Sequence, residues 1–174
     1  MLEGRNAEVV WIGLGSNLGD KFKNLGKAAL ELSVLPGSSL LAVSSVYRTE
    51  AVGVGYSSEF YNAVIGLLTG LEPSELLTEC MRVELELGRD RSVADRLIDI
   101  DILLYGSQIV MLRNLSVPHP KMEERRFVLE PLVKVAPKLI HPIHKVSIKT
   151  LMDNKIWRQP VEKLDKPLLP AWGS

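Results

Sequence analysis

The sequence predicts an α+β fold: a ferredoxin-like βαββαβ core, with an antiparallel sheet and helices on both faces. Three observations carry that prediction. Apolar residues recur at helical spacing in two segments, 21–35 and 73–87. Four segments read as strands, at 9–12, 40–47, 60–68 and 97–105, so the order is strand, helix, strand, strand, helix, strand. A third helical segment, 123–135, is available for the second face of the sheet.

Each element has a local reason. Val9-Val10-Trp11-Ile12 is a short apolar run, which Gly13 and Gly15 are expected to end. Asp20 is a candidate N-cap for the first helix, whose Leu25, Ala28, Ala29 and Leu32 share a face, and Pro36-Gly37 stops it. Residues 40–47 carry β-branched residues and serines. Pro73 opens the second helix, where its missing N–H has no intrahelical partner to lose. Leu76, Leu77, Cys80, Val83, Glu84 and Leu87 follow the helical period up to Gly88. Residues 97–105 form the clearest strand, with 109–112 expected to pair with it across Gly106-Ser107. Pro131 is expected to kink or interrupt the third helix. Beyond it, Pro137, Pro142 and Pro160 break up the chain, and residues 168–174 read as tail.

Composition sets the frame. A length of 174 residues suits one domain, with a polar lead-in over 1–7 and a C-terminal extension from about 155 to 174. Lys plus Arg and Asp plus Glu are 21 each, so the basic excess of a general nucleic-acid binder is missing. A hydrophobic content of 46% excludes disorder, and no apolar run approaches the ~20 residues of a membrane span. The N-terminus does not read as a signal peptide. A lone Cys80 excludes an intramolecular disulfide and a Cys-based zinc site, and its helical spacing reads as packing. These features predict a cytoplasmic protein that does not bind nucleic acid or membrane.

The strongest chemical signal is Leu97-Ile98-Asp99-Ile100-Asp101-Ile102. Alternation along a strand puts Ile98, Ile100 and Ile102 on the core face and both aspartates on the other, about 6.5–7 Å apart. Two carboxylates on one rigid face are hard oxygen ligands suited to Mg²⁺ carrying phosphates. The alternative is a solvent-facing polar row, which the poor strand propensity of Asp and the repulsion of like charges disfavour. Arg89, Arg91 and Arg96 stand just upstream among Asp90 and Asp95. They suit phosphate oxygens, or else form a solvated loop balanced by its own aspartates.

Other residues are less decisive. Gly13-Leu14-Gly15-Ser16-Asn17-Leu18-Gly19 fits neither a dinucleotide fingerprint nor a P-loop. Its glycines suit a turn and a close approach to a ligand or neighbouring strand. Asn62 would offer a donor and an acceptor to a heterocycle edge, with Phe60 as a stacking surface on the same face; the alternative is a packed aromatic and a surface amide. His119, between Pro118 and Pro120, suits phosphate binding or acid/base work. His141 and His144 lie in a Pro-rich stretch with no acidic ligand pattern and read as structural.

Taken together, these segments resemble the 6-hydroxymethyl-7,8-dihydropterin pyrophosphokinase family. The resemblance runs from about Val9 to Asn154, through 15–20 (GSNLGD), 44–49 (SSVYRT), 61–64 (YNAV), 84–89 (ELELGR), 99–106 (DIDILLYG) and 117–120 (VPHP), with Arg125 and Phe127 after it. The loop between Arg91 and Arg96 is shorter than in many relatives. The resemblance implies transfer of diphosphate from ATP, the co-substrate, to the pterin hydroxymethyl group in folate biosynthesis, with release of AMP. It implies two Mg²⁺ ions on Asp99 and Asp101, and transfer assisted by Arg89 and Arg96. Pterin contacts would come from Thr49, Val52, Phe60, Asn62 and Phe127. Nucleotide contacts would come from Glu84, Arg91, Ile102, Ser116, His119 and Arg125. Loops 50–59 and 88–96 are candidate lids, and a monomer is expected. The alternatives are another Mg²⁺-dependent nucleotidyl- or phosphoryl-transferase, or a non-enzymatic ligand-binding module.

Overall fold

The computed structural model describes residues 4–50, 55 and 58–169. The elements, in order, are β1 (Glu8–Ser16), α1 (Lys21–Ser33), β2 (Ser38–Val43), β3 (Ser45–Thr49), β4 (Phe60–Thr69), α2 (Pro73–Glu86) and β5 (Asp99–Tyr105). There follow β6 (Val110–Leu112), β7 (Leu115–Val117), a 3₁₀ turn (Met122–Glu124), α3 (Arg126–Val135), α4 (Ile148–Asp153) and β8 (Val161–Pro167). The main sheet runs β5-β1-β4-β3-β8, with β2 also pairing β4, and all its pairings are antiparallel. Counting β2 and β3 as one broken strand, this is the expected βαββαβ core with one added edge.

The faces divide as the strand alternation requires. On one side α1 and α2 bury Leu25, Ala28, Leu32, Leu76, Cys80 and Val83 against Val10, Ile12, Ile65, Leu67, Ile98, Ile100 and Ile102. On the other, α3 and α4 cover Trp11, Val64 and Leu103 with Val128, Leu129, Leu132 and Ile148. Asp20 caps α1, its Oδ1 accepting from Lys23 N–H at 3.1 Å. Glu75 secures the start of α2 by accepting the Glu72 N–H at 2.8 Å. Among the described residues no helix is long and apolar enough to cross a membrane.

Several boundaries differ from the sequence reading. β1 continues through Gly13 and Gly15 to Ser16, because both glycines pair with β4 and β5 on either side. The segment 40–47 is two strands: buried Ser44 breaks it, its hydroxyl accepting the Val64 N–H at 2.8 Å. β6 pairs with β7 rather than β5. The third helix begins as the 3₁₀ turn, breaks at Arg125 and resumes as α3, which carries Pro131 within it. The C-terminal region contains α4 and β8, and β8 pairs with β3 from Ser45 to Thr49. Leu168, read as tail, is buried in the core beside α1 and α2.

Candidate active site

Two glycines open the site. On the α3 face of the sheet Gly13 and Gly15 sit between β4 and β5, with Gly15 opposite both Asn62 and Asp99. A Cβ on Gly15 would lie 3.3 Å from Asn62 Oδ1 and 3.9 Å from Phe60 Cδ1. The bare backbone therefore leaves a floor where side chains would otherwise fill the space. Above it is a cavity of about 590 Å³, within the range of small-molecule sites. Thr49, Phe60, Asn62 and Phe127 line it, as do Arg96, Asp99, Asp101 and Arg125.

The aromatic and amide residues come from β3, β4 and the start of α3. Asn62 is buried, and its Nδ2 donates to Thr49 Oγ1 at 3.1 Å. That bond fixes the amide's orientation and points its remaining capacity at the cavity. Val52 lies outside the described residues.

The charged residues meet on the same face of the sheet. Asp99 Oδ1 accepts from Arg89 Nη1 at 2.5 Å, and Asp99 Oδ2 accepts from Arg96 Nη1 at 2.7 Å. Arg89 Nη1 also donates to Glu84 Oε2 at 2.5 Å, and Arg91 faces Glu84 at 3.6 Å. Asp101 Oδ2 has Arg125 Nη1 at 3.6 Å and His119 Nε2 at 3.9 Å. Burial, and then the Asp99 charge, push the Asp101 carboxyl up to about 6 despite Arg125, Arg96 and Arg89. Burial raises buried Glu84 to about 7, with Arg89 opposing it. His119 is lowered by burial and by Arg125. Its Nδ1 accepts from Lys121 N–H at 3.2 Å, which directs a protonated Nε2 at Asp101.

Not every expected residue reaches the cavity. Ile102 points into the α1–α2 core, so only its main chain remains for a ligand. Ser116 lies in the β6–β7 hairpin opposite Met111, away from the cavity lining. Arg89 and His119 are not on the lining either and meet it only through Asp99 and Asp101, and Glu84 and Arg91 stand behind Arg89. Sequence reasoning missed Arg158, Gln159 and Pro160, which close one side of the cavity. Arg126 anchors them, donating to Gln159 O at 3.3 Å while its Nε donates to Glu130 at 2.8 Å.

A second cluster joins Glu123, His141 and His144, whose ligand-type atoms lie within 4.8 Å of one another. The sequence offered no acidic partner for these histidines; the fold supplies Glu123, whose Oε2 is 2.5 Å from His144 Nε2. His141 is buried, and its Nδ1 accepts the Ile143 and His144 N–H groups at 3.2 and 3.3 Å. The neutral ring thus carries its proton on Nε2 and offers a metal no lone pair there. The cluster ties a loop.

Comparison with known proteins identifies the family. The model of the family described as 7,8-dihydro-6-hydroxymethylpterin-pyrophosphokinase matches residues 11–137. The 2-amino-4-hydroxy-6-hydroxymethyldihydropteridine pyrophosphokinase of Aquifex aeolicus is 39% identical over 142 residues, 80% of this chain and 88% of that protein. The folic acid synthesis protein fol1 of Pneumocystis carinii is 38% identical over 94% of this chain, which spans only 22% of that longer protein. Among solved structures, wild-type Plasmodium falciparum HPPK-DHPS with pteroate superposes with a TM-score of 0.72 at 15% identity. That match covers 87% of this chain and 45% of the other, and it speaks to the fold alone. With the family match spanning most of its length and the bacterial relative aligned nearly end to end, the chain belongs to the 7,8-dihydro-6-hydroxymethylpterin-pyrophosphokinase family.

Proposed function

We propose that this chain, as one catalytic domain, transfers diphosphate from ATP to the hydroxymethyl group of 6-hydroxymethyl-7,8-dihydropterin in the cavity above Gly13 and Gly15, releasing AMP. One observation carries the reading. A single cavity is lined both by an aromatic and amide set, Phe60, Asn62 and Phe127, and by a charged set, Asp99, Asp101, Arg96 and Arg125. The first set suits a flat heterocycle and the second a polyphosphate.

Phe60 and Phe127 would hold the pterin ring by stacking, while Asn62, oriented by Thr49, would read its edge. In that pose the hydroxymethyl group would point towards the aspartates. Asp99 and Asp101 would hold Mg²⁺, two ions by family resemblance. The donor set fits: two carboxylates two residues apart on β5 line one cavity, and a divalent cation there would offset both the burial and the Asp99 charge that disfavour ionised Asp101. Bound there, the metal would neutralise triphosphate charge and order the phosphates. Attack by the pterin oxygen would form a bond to the β-phosphorus as the bond from that phosphorus to the α,β-bridging oxygen breaks; the bridging oxygen leaves on AMP, and the hydroxyl proton is released to solvent. Arg89 and Arg96 are now paired with Asp99, and Arg125 faces Asp101. Their guanidinium groups would turn to phosphate oxygens and stabilise charge as it shifts onto AMP. His119 and Arg125 flank Asp101 and would complete the nucleotide side, with Glu84 and Arg91 supporting Arg89.

The enzyme is expected to work as a cytoplasmic monomer on small molecules. The test is incubation with ATP, Mg²⁺ and the reduced pterin alcohol, with identification of the nucleotide product. AMP with a pterin diphosphate supports the reading. ADP, or release of pyrophosphate, would indicate a different transfer.

A further inference from the structure

We propose that Asn17 is a positioning residue for the transfer step: it fixes the main chain at Arg96 and thereby the guanidinium that faces Asp99. The inference rests on the role given to Arg96 above. Asn17 immediately follows β1, and it is 1% exposed. Its polar groups reach two other segments. Its Oδ1 accepts the Arg96 N–H at 2.6 Å, its own N–H donates to Arg96 O at 3.0 Å, and its Nδ2 donates to Asp95 Oδ1 at 2.7 Å. Its carbonyl accepts from the Ser58 hydroxyl.

One buried residue therefore joins three segments: its side chain holds the loop that carries the arginines to the end of the cavity floor, and its main-chain carbonyl holds the segment leading into Phe60. The loop itself, 89–95, is half-buried or exposed and has little packing of its own. An arginine head group is placed only as well as its main chain, and a 1 Å error in a reacting geometry can cost about a hundredfold in rate. The position needs an acceptor and a donor side by side. Alanine supplies neither. Aspartate keeps the acceptor for Arg96 N–H but sets a second carboxylate against Asp95.

The test uses Asn17→Ala, Asn17→Asp and the double variant Asn17→Asp/Asp95→Asn, with Arg96→Ala as reference. Single-turnover transfer, equilibrium binding of a non-hydrolysable ATP analogue and of the pterin, and thermal stability are measured on each. Both single Asn17 variants should slow transfer by roughly tenfold to a hundredfold, with pterin and analogue affinity changed much less. The double variant restores a donor–acceptor pair with its direction reversed, and it should recover most of the lost rate. Slowing without recovery in the double variant would overturn the proposal, as would lower stability with an unchanged rate in the folded fraction. If Arg96→Ala transfers at the normal rate, the role of Arg96 is wrong and the inference falls with it. If Arg96→Ala is slow and the Asn17 variants are not, the inference alone is wrong.

Discussion

At Asp101 the demands of stability and function oppose each other. Its carboxyl is raised to about 6 because burial and Asp99 disfavour its charge. A carboxyl whose folded value lies above its unfolded one binds more protons in the folded state, so stability falls as pH rises through that window. Asp101→Asn removes the charge at nearly constant shape. Its melting temperature at pH 8 should equal or exceed that of the parent, while turnover drops by about a hundredfold or more. A loss of stability together with activity would mean that the carboxylate is structural. Asn62 makes the opposite case. Asn62→Ala should weaken pterin binding by ~1–3 kcal/mol, since a buried heterocycle edge cannot recover its bonds from water. Binding of the ATP analogue alone should stay nearly unchanged, and equal losses for both ligands in a titration would point to damage of β4. Gly15→Ala should act on the same amide, because the added carbon would lie 3.3 Å from the Asn62 oxygen.

At the scale of elements, β8 and the loop before α4 carry weight that their composition conceals. β8 extends the sheet beyond β3, and Leu168 follows it into the core with 5% of its surface exposed. Leu168→Ala should cost ~2–5 kcal/mol of stability in a denaturant titration, as buried leucines do. A cost near zero would make the segment a passive tail. In the loop, burial and then His144 lower the pKa of His141, although Glu123 opposes this. A histidine whose folded value is depressed contributes stability that is complete above its unfolded value, near 6.5, and is lost as pH falls through the folded value. Protonation would also set Nδ1 against two N–H groups. His141→Gln should therefore flatten the decline in stability between about pH 6.5 and 5. An unaltered slope in melts across that range would exclude the histidine as its source.

For the whole molecule, the core was legible because its signals are periodic. The isoleucines of β5 and the leucines of α1 and α2 each repeat at the spacing of their element. Ser44 was not legible as a break, because its hydroxyl substitutes for a ladder partner that only the folded sheet supplies. β8 was hidden by its charges, Glu162, Lys163, Asp165 and Lys166, which suit an edge strand but lack an apolar alternation. The wall formed by Arg158, Gln159 and Pro160 carried no motif; its place comes from the tether to Arg126. Within the site, Asp99, Asp101 and Asn62 stood out in the sequence by their chemically unusual positions, whereas the bond from Asn62 to Thr49 and those from Asn17 to Asp95 and Arg96 depend on register and tertiary contact. The division of the sheet's two faces has a consequence for how substitutions sort. Down β5 the sheet acts as a partition, so parity predicts phenotype. Alanine at even-numbered Ile100 or Ile102 should lower melting temperature and spare the turnover of the protein that remains folded. Neutralisation at odd-numbered Asp99 or Asp101 should do the reverse. The rule ends at Leu103, where α3 closes over the odd face and both parities become structural. A saturation scan scored separately for abundance and for turnover should trace that change of rule between residues 101 and 103, marking in its pattern where the open part of the sheet stops.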